Sequence, residues 1–261
     1  MNWGLRNRLD RVLPGLPKGT GSVMFAIDHG YFMGSTSGLE DPRKTIVPLL
    51  PHADSLMLTR GILQNSIPKR TNIPIVLRVS SGNSILNDDL SNEQLCVSIE
   101  DAIRLNASAV AFSIYIGGAY EHQTIVEFSK LVNDAHRYGI PVLAVTAVGK
   151  DMNRDLRYLS LASRIAVELG ADIVKTYYCE GFSELISVCP VPVVIAGGKK
   201  VPELDALEFA HKAISDGAAG VDMGRNIFQS DSPENMIQTV RSVVVNGVDP
   251  KDAYKNYKNS L

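Results

Sequence analysis

The chain has 261 residues, of which 45% are hydrophobic and 21% charged, and its formal net charge is −2. These values are ordinary for a soluble globular protein, and the near-neutral charge gives no reason to expect nucleic acid or an anionic membrane surface as a partner. The three cysteines have no paired spacing, which excludes a disulfide framework and a metal knuckle. Residues 1–8 have no apolar core for a signal peptide, and no run approaches the roughly 18 apolar residues of a membrane span. We therefore expect a cytoplasmic protein without a metal ion.

From residue 22 onward, short apolar runs alternate with longer helical patterns. The apolar runs predict strands at residues 23–28, 55–59, 74–79, 109–115, 141–147, 171–178, 191–196 and 218–223. Helices are predicted at about residues 41–50, 92–105, 125–138, 156–169, 202–215 and 233–245, with a short one near 252–257. The first twenty residues are expected to form a short helix under the bottom of the fold.

Eight strand–helix units predict an α/β protein with a closed (β/α)₈ barrel, built as a single domain over residues 1–261. The alternative is a doubly wound open sheet. Such a sheet usually carries a glycine fingerprint after its first strand, and Asp-His-Gly-Tyr at residues 28–31 is not one. The barrel is therefore the favoured fold.

One lysine, Lys175, stands inside the apolar run at residues 171–178. A strand that is apolar on both faces belongs in a parallel sheet covered by helices, where an ammonium group loses its hydration. Burial disfavours the charged amine, so part of the lysine population can be neutral and nucleophilic near neutral pH. We therefore predict that Lys175 forms a Schiff base with a carbonyl substrate. The alternative is a structural lysine that reaches the surface or pairs with Asp172 or Glu180.

Glycines follow the seventh and eighth predicted strands, at the end of a barrel where loops carry the chemistry. Gly197 and Gly198 precede Lys199, and Gly224 precedes Arg225. Backbone N–H groups in glycine turns can approach a phosphate closely, and a basic side chain at the start of a short helix can neutralise it. These five residues predict a phosphate site. The alternative for Gly197 and Gly198 is a tight turn without a ligand.

Other polar residues follow the first and third predicted strands. Asp28 is a candidate general acid or base, although a carboxylate there can also cap the next turn. His29 and Arg78 are candidate contacts to the substrate or a co-substrate, and a histidine in such a place is more often structural. Cys179 has no histidine near it in sequence, so an inert thiol is favoured over a nucleophile.

Several long strings resemble the archaeal-type class I aldolase group. They are Asp-His-Gly at residues 28–30, Val-Lys-Thr-Tyr-Tyr at 174–178, Ala-Gly-Gly-Lys-Lys at 196–200 and Gly-Val-Asp-Met-Gly-Arg-Asn-Ile-Phe-Gln at 220–229. The resemblance extends from about residue 3 to the last predicted helix. Within the group, the strings at residues 28–32, 59–63, 120–123 and 148–152 are most similar to the thiolase branch that breaks down autoinducer-2.

The resemblance implies a Schiff-base lysine at Lys175, an acid/base residue at Asp28 and a phosphate site from Gly197, Gly198, Gly224 and Arg225. It also implies coenzyme A as a co-substrate, no permanently bound cofactor, and acetyl-CoA and dihydroxyacetone phosphate as products. The expected assembly is a homo-oligomer, a decamer of two rings. On charge and position alone, Lys150 is expected to steer the phosphates of coenzyme A.

One departure from the group bears on the reaction. Its aldolases carry a proton-transferring tyrosine at the end of the fifth strand, and Ala147 takes that place here. Aldol cleavage needs a base for the β-hydroxyl proton, whereas a β-carbonyl can be attacked by an external thiolate. The leading prediction is therefore coenzyme A-dependent acyl transfer from a phosphorylated diketone. The alternatives are an aldolase for fructose 1,6-bisphosphate or a related sugar phosphate, and a non-catalytic sugar-phosphate-binding barrel.

Overall fold

Eight parallel strands close into a barrel in the computed structural model, which describes residues 2–147 and 153–261. The strands are β1 (Ser22–Ala26), β2 (Ser55–Thr59), β3 (Ile75–Arg78), β4 (Ala109–Tyr115), β5 (Val142–Ala147), β6 (Ile173–Thr176), β7 (Val193–Ala196) and β8 (Gly220–Met223). Each strand pairs with its neighbours in chain order, and β1 pairs with β8 to close the ring. The predicted (β/α)₈ barrel is confirmed.

Helices precede, connect and follow the strands. They are α1 (Trp3–Val12), α2 (Gly30–Met33), α3 (Pro42–Ile46), α4 (Arg60–Ser66), α5 (Ile99–Arg104), α6 (Glu121–Arg137), α7 (Leu156–Glu168), α8 (Phe182–Ser187), α9 (Glu203–Ser215), α10 (Arg225–Phe228), α11 (Pro233–Asn246) and α12 (Pro250–Asn259). Local sequence sets several of these bounds. The side chain of Asp155 caps the start of α7, and Gly139 follows α6 with a positive φ of 65°. None of the helices in the described ranges is long and apolar enough to cross a membrane.

The helix predicted over residues 92–105 is wrong in its first half. Residues Gln94–Leu95 pair antiparallel with Ser80–Ser81, and α5 begins only at Ile99, after Ser98 accepts a hydrogen bond from the backbone N–H of Asp101. A serine N-cap at this point starts a new helix and ends the preceding segment. The helix predicted over residues 41–50 is also split, since α3 is followed by a 3₁₀ helix over Val47–His52 that contains Pro51.

The N-terminal helix covers the bottom of the barrel, as the sequence predicts. Leu9, Val12 and Leu13 are buried in one cluster with side chains from the interior of the strands, among them Met24, Met57 and Val76. The outward faces of the strands pack against the surrounding helices in a second, larger cluster. The interior is therefore filled at its amino end, which leaves the carboxyl end of the strands free to form a site.

Candidate active site

A cavity of about 580 Å³ opens at the carboxyl ends of the strands. It is lined by residues from most strands and their following loops. Among them are the predicted site residues Asp28, His29, Arg78, Lys175, Gly197, Gly198, Lys199, Gly224 and Arg225. The structure thus brings these candidates together around one space. Lys150, the remaining candidate, lies outside the described residues.

Lys175 lies on β6 and its side chain is only 11% exposed. Its Nζ is 2.7 Å from Oδ2 of Asp222 on β8 and 3.7 Å from the sulfur of Met57 on β2. Asp172, one of the partners considered from the sequence, instead accepts a hydrogen bond from the backbone N–H of Val142 and pairs with His136. The amine is therefore held inside the barrel by a buried carboxylate and points away from the outer surface.

Asp28 forms a buried ion pair with Arg78. The Arg78 Nε and Nη2 atoms lie 2.9 Å and 2.8 Å from Asp28 Oδ2, and Nη1 donates to the hydroxyl of Ser113 at 2.7 Å. Burial alone raises the pKa of Asp28, but the charges of Arg78 and Lys175 outweigh it and lower the pKa to about 2. Asp28 is therefore a carboxylate at neutral pH, which suits a fixed negative charge or a weak base better than a proton donor.

A buried carboxylate that the sequence analysis did not select, Glu93, organises the wall beside Arg78. Glu93 accepts hydrogen bonds from the hydroxyls of Tyr31 at 2.7 Å, Tyr115 at 3.1 Å and Ser80 at 2.6 Å. It belongs to the loop that was predicted to be helical, so its approach to the cavity had no signal in the sequence. Burial raises the pKa of both tyrosines, and Glu93 raises them further. Both phenols therefore stay protonated at neutral pH.

The glycine turns after β7 and β8 are joined by one asparagine. The Asn226 amide nitrogen donates to the carbonyl oxygen of Gly197 at 2.6 Å, and its oxygen accepts from the backbone N–H of Val201 at 2.9 Å. A Cβ on Gly224 would collide with the carbonyl oxygen of Ala26, and Gly198 has a φ of +70°. Both positions therefore require glycine. Asn226, which the sequence analysis did not select, fixes the two turns relative to each other.

Arg225 begins α10 beside these turns and lines the cavity. Its Nε is buried and has no hydrogen-bond partner among the described residues, and burial lowers the pKa of its guanidinium. A buried cationic donor without a partner is costly unless an anion occupies the site. Lys199 is exposed at the rim of the same corner. The corner therefore suits a phosphate group.

His29 and Ala147 also line the cavity. So does a further cation, Arg154, which was not selected from the sequence. Burial and the neighbouring positive charges lower the pKa of His29 to about 4, so its imidazole is neutral at pH 7. The guanidinium of Arg154 lies 3.7 Å above the ring of Tyr177, and both residues face the cavity. Ala147 is the register partner of Tyr115 on the adjacent strand, and its carbonyl oxygen accepts a hydrogen bond from the phenol of Tyr158 at 3.2 Å.

A closed parallel barrel with a buried lysine at the carboxyl end of its sixth strand, facing glycine turns after the next two strands, has the architecture of the class I aldolases. The family described as DeoC/LacD family aldolase matches residues 22–230. The chain belongs to this family of enzymes.

Two curated relatives cover nearly the whole chain. The protein of Photorhabdus laumondii named 3-hydroxy-5-phosphonooxypentane-2,4-dione thiolase is 56% identical over 256 residues, which are 98% of this chain and 87% of the relative. The protein of the same name from Klebsiella pneumoniae is 54% identical and covers 98% and 86%.

Solved structures of archaeal fructose 1,6-bisphosphate aldolases are similar in fold. One is 27% identical with a TM-score of 0.82, covering 92% of this chain and 98% of that chain. Another, 26% identical with a TM-score of 0.82, covers 92% and 99% and is described with its catalytic lysine covalently bound to the carbinolamine intermediate of the substrate.

Proposed function

We propose that the protein is a thiolase that forms a Schiff base at Lys175 with 3-hydroxy-5-phosphonooxypentane-2,4-dione and transfers its acetyl group to coenzyme A. The reaction belongs to the breakdown of autoinducer-2. The observation that carries the proposal is the placement of a buried amine and a corner suited to an anion in one cavity, where Lys175 and Arg225 both line the wall. Relatives at 54–56% identity that bear the thiolase name support the same substrate.

The chemistry follows from the position of the phosphate. With the phosphate in the corner formed by Gly197, Gly198, Gly224 and Arg225, the adjacent C4 ketone is the carbonyl that meets the Lys175 amine. Condensation releases water and gives an iminium at C4. The coenzyme A thiolate then attacks the C2 ketone, the C2–C3 bond breaks, and its electron pair enters the C3–C4 enamine. Protonation at C3 and hydrolysis release dihydroxyacetone phosphate, while the acetyl group leaves as acetyl-CoA.

The cavity wall supports thiolysis over retro-aldol cleavage. Retro-aldol cleavage needs a base for a β-hydroxyl proton, and the position at which the aldolases of this group carry a tyrosine holds Ala147, which has no group that can accept one. The phenols of Tyr31 and Tyr115 are held protonated by burial and by Glu93. Thiolysis of a β-ketone has no such proton to remove. The second candidate function, cleavage of fructose 1,6-bisphosphate, is favoured only by the similarity to the archaeal aldolase structures.

The test is a coupled assay that measures acetyl-CoA and dihydroxyacetone phosphate with the phosphorylated diketone as substrate, with and without coenzyme A. We expect both products only when coenzyme A is present, and we expect Lys175→Met to lose turnover and the borohydride-trapped adduct. Full activity in Lys175→Met contradicts the Schiff-base role. Cleavage of fructose 1,6-bisphosphate without coenzyme A at a comparable rate makes the aldolase the better assignment. Binding of a phosphate ester without any turnover indicates a non-catalytic sugar-phosphate-binding barrel.

We further infer a cytoplasmic homo-oligomer of ten chains in two rings, on the family resemblance alone. The mass of one chain is 28.3 kDa. Light scattering on the eluting peak of a sizing column tests this inference, and a mass near ten times the chain mass is the expected result. A monomer or dimer contradicts it.

A further inference from the structure

We propose that Asp222 is a catalytic residue that carries protons to and from the Lys175 nitrogen while the Schiff base forms and hydrolyses. This inference rests on the proposed Schiff-base function and adds to it a group that the sequence analysis did not assign. Oδ2 of Asp222 lies 2.7 Å from Nζ of Lys175, within direct reach of a proton on the amine.

Asp222 is fully enclosed, and its acceptor sites are not filled. Its side chain is 0% exposed, and neither of its oxygens accepts a hydrogen bond from the described residues: Oδ2 has the ion-pair contact with Lys175, and Oδ1 has no partner. A buried carboxylate normally fills its acceptor sites. The residue also lines the cavity that holds the amine. One oxygen is therefore on the nucleophile, and the other is left for a group that arrives later.

The other buried aspartate of the cavity is differently placed. Asp28 is locked to the guanidinium of Arg78 through two N–H donors, and Arg78 is itself held by Ser113. A carboxylate in such a pair keeps its negative charge at neutral pH, so it holds no proton that it could donate. Asp222 has only the lysine amine as an ionic partner among the described residues. Of the two, Asp222 is the group that can exchange a proton with the nitrogen.

The charges around Asp222 agree with this role. Burial raises the pKa of Asp222, and the negative charge of Asp28 on the neighbouring side of the barrel acts in the same direction. The positive charges of Lys175 and Arg78 act against it without cancelling it. The pKa of the Asp222 carboxyl group is therefore closer to neutral pH than that of an exposed aspartate, which suits a group that both accepts and donates a proton.

The proton transfers balance without any further reactant. Asp222 first accepts a proton from the ammonium of Lys175, and the neutral amine adds to the ketone carbon of the substrate. A proton passes from the attacking nitrogen to the new alkoxide, which gives the carbinolamine. Asp222 then donates its proton to the hydroxyl, which leaves as water while the carbon–nitrogen double bond forms. The products are an iminium, water and the carboxylate, and hydrolysis repeats the steps in reverse.

The test measures the rate at which dihydroxyacetone phosphate is trapped on the enzyme by borohydride, followed by intact-protein mass spectrometry. Asp222→Asn keeps the shape and removes the proton carrier, so trapping should slow by about 10²–10⁴-fold, the usual contribution of general acid–base catalysis. Asp172→Asn is the matched control, because it neutralises another buried aspartate of the same barrel that pairs with His136. We expect it to trap at the wild-type rate. Lys175→Met should trap nothing.

A second variant separates proton transfer from mere structure. Asp222→Ala leaves space for a small carboxylate, so sodium formate should raise its trapping rate at least about tenfold, whereas the same concentration of sodium chloride should not. Formate refills the anionic position, so this variant also reports if Asp222→Asn does not fold. Trapping by Asp222→Asn within twofold of wild type overturns the proposal, as does slow trapping by Asp222→Ala that formate does not restore. Absence of an adduct in the wild type overturns the Schiff-base function itself.

Discussion

Asp28 and Asp222 belong to neighbouring parts of one cavity, yet their surroundings shift their carboxyl pKa values in opposite directions. Arg78 and Lys175 lower the pKa of Asp28 to about 2, whereas burial raises the pKa of Asp222. Two carboxyls with pKa values moved apart can hold different roles at one pH. Asp28 provides a permanent negative charge that orders Arg78, and Asp222 remains available for proton exchange beside Lys175.

Loss of the Asp28 carboxylate should destabilise the fold in a pH-dependent way. Asp28→Asn leaves the buried Arg78 without its counter-charge, which typically costs about 3–5 kcal/mol. Because the folded pKa is depressed, the carboxylate's stabilisation is present above the ordinary value of 3.8 and is lost as the pH falls through about 2. The measurement is urea unfolding of both proteins between pH 7 and pH 2. The difference in the free energy of unfolding between the wild type and Asp28→Asn should be about 2 kcal/mol smaller at pH 2 than at pH 7.

The control for this prediction is Asp10→Asn, since Asp10 pairs with Arg6 on the exposed face of α1. An exposed pair of this kind contributes about 0–1 kcal/mol. Equal losses in Asp10→Asn and Asp28→Asn would show that the buried pair has no special contribution.

At the scale of single residues, the sequence identifies a candidate by its type and its position on a strand but does not show which residues it contacts. Lys175 was selected because a charged residue interrupts an apolar strand, and Asp222 interrupts the strand Gly-Val-Asp-Met in the same way. The same criterion applied to β8 would have found it. Glu93 was not accessible to that criterion, because its loop reaches the cavity through a short antiparallel pair between distant segments. Such pairing depends on tertiary structure that no local pattern encodes.

Among the secondary-structure elements, the barrel strands were predicted well because their apolar runs are bounded by glycine, proline or charged residues. The predictions for β2 and β4 match the observed bounds, and the others end within a few residues. The short helices α2, α4, α8 and α10 were not predicted as elements, because runs of four to seven residues give too little periodicity. Two of these short helices, α2 and α10, contribute residues to the cavity wall, so the sequence describes the scaffold better than the cavity rim.

The N-terminal helix should act on stability without acting on the reaction. Leu9 is 3% exposed and packs under the strands, at the opposite end of the barrel from the cavity. Leu9→Ala should lower the free energy of unfolding by about 2–5 kcal/mol through the lost contacts and the remaining cavity. Trapping by the folded fraction should be unchanged. Thermal unfolding and the borohydride assay measure the two effects.

Trp3→Ala in the same helix is the control, because Trp3 is 81% exposed. Trp3→Ala should change the free energy of unfolding by no more than about 0.5 kcal/mol. A Leu9→Ala protein that unfolds like the wild type, or that loses trapping while folded, contradicts the separation between the two ends of the barrel.

The whole molecule combines a closed, apolar amino end with a polar carboxyl end. Leu9 and Met57 fill the interior below, and the ion pair of Lys175 with Asp222 lies above them. The stability of the barrel and its chemistry therefore depend on different layers. A ligand that binds the carboxyl end links the two again, because binding to the folded state alone raises the stability of the entire cooperative unit.

This linkage predicts that phosphate ligands raise the melting temperature. At about 100 times its dissociation constant, a ligand adds roughly 2.7 kcal/mol, or about 5–10 °C for a chain of this size. In the wild type, both inorganic phosphate and dihydroxyacetone phosphate should produce the rise. Lys175→Met should keep the rise with inorganic phosphate, because the anion corner is intact, and should lose the covalent part of the rise with the ketone.

Arg225→Ala should lose most of the rise with either ligand, because the buried guanidinium nitrogen without a described partner is the charge that the phosphate would neutralise. Arg137→Ala removes an exposed arginine at the end of α6, where Arg137 pairs with Asp134, and should behave like the wild type. Differential scanning calorimetry over a ligand titration measures all four proteins. If Arg225→Ala responds like Arg137→Ala, phosphate binds elsewhere, and the orientation that brings the C4 ketone to Lys175 is wrong. If only Arg225→Ala fails to respond to inorganic phosphate, the corner fixes the phosphate, and with it the carbonyl that the amine attacks.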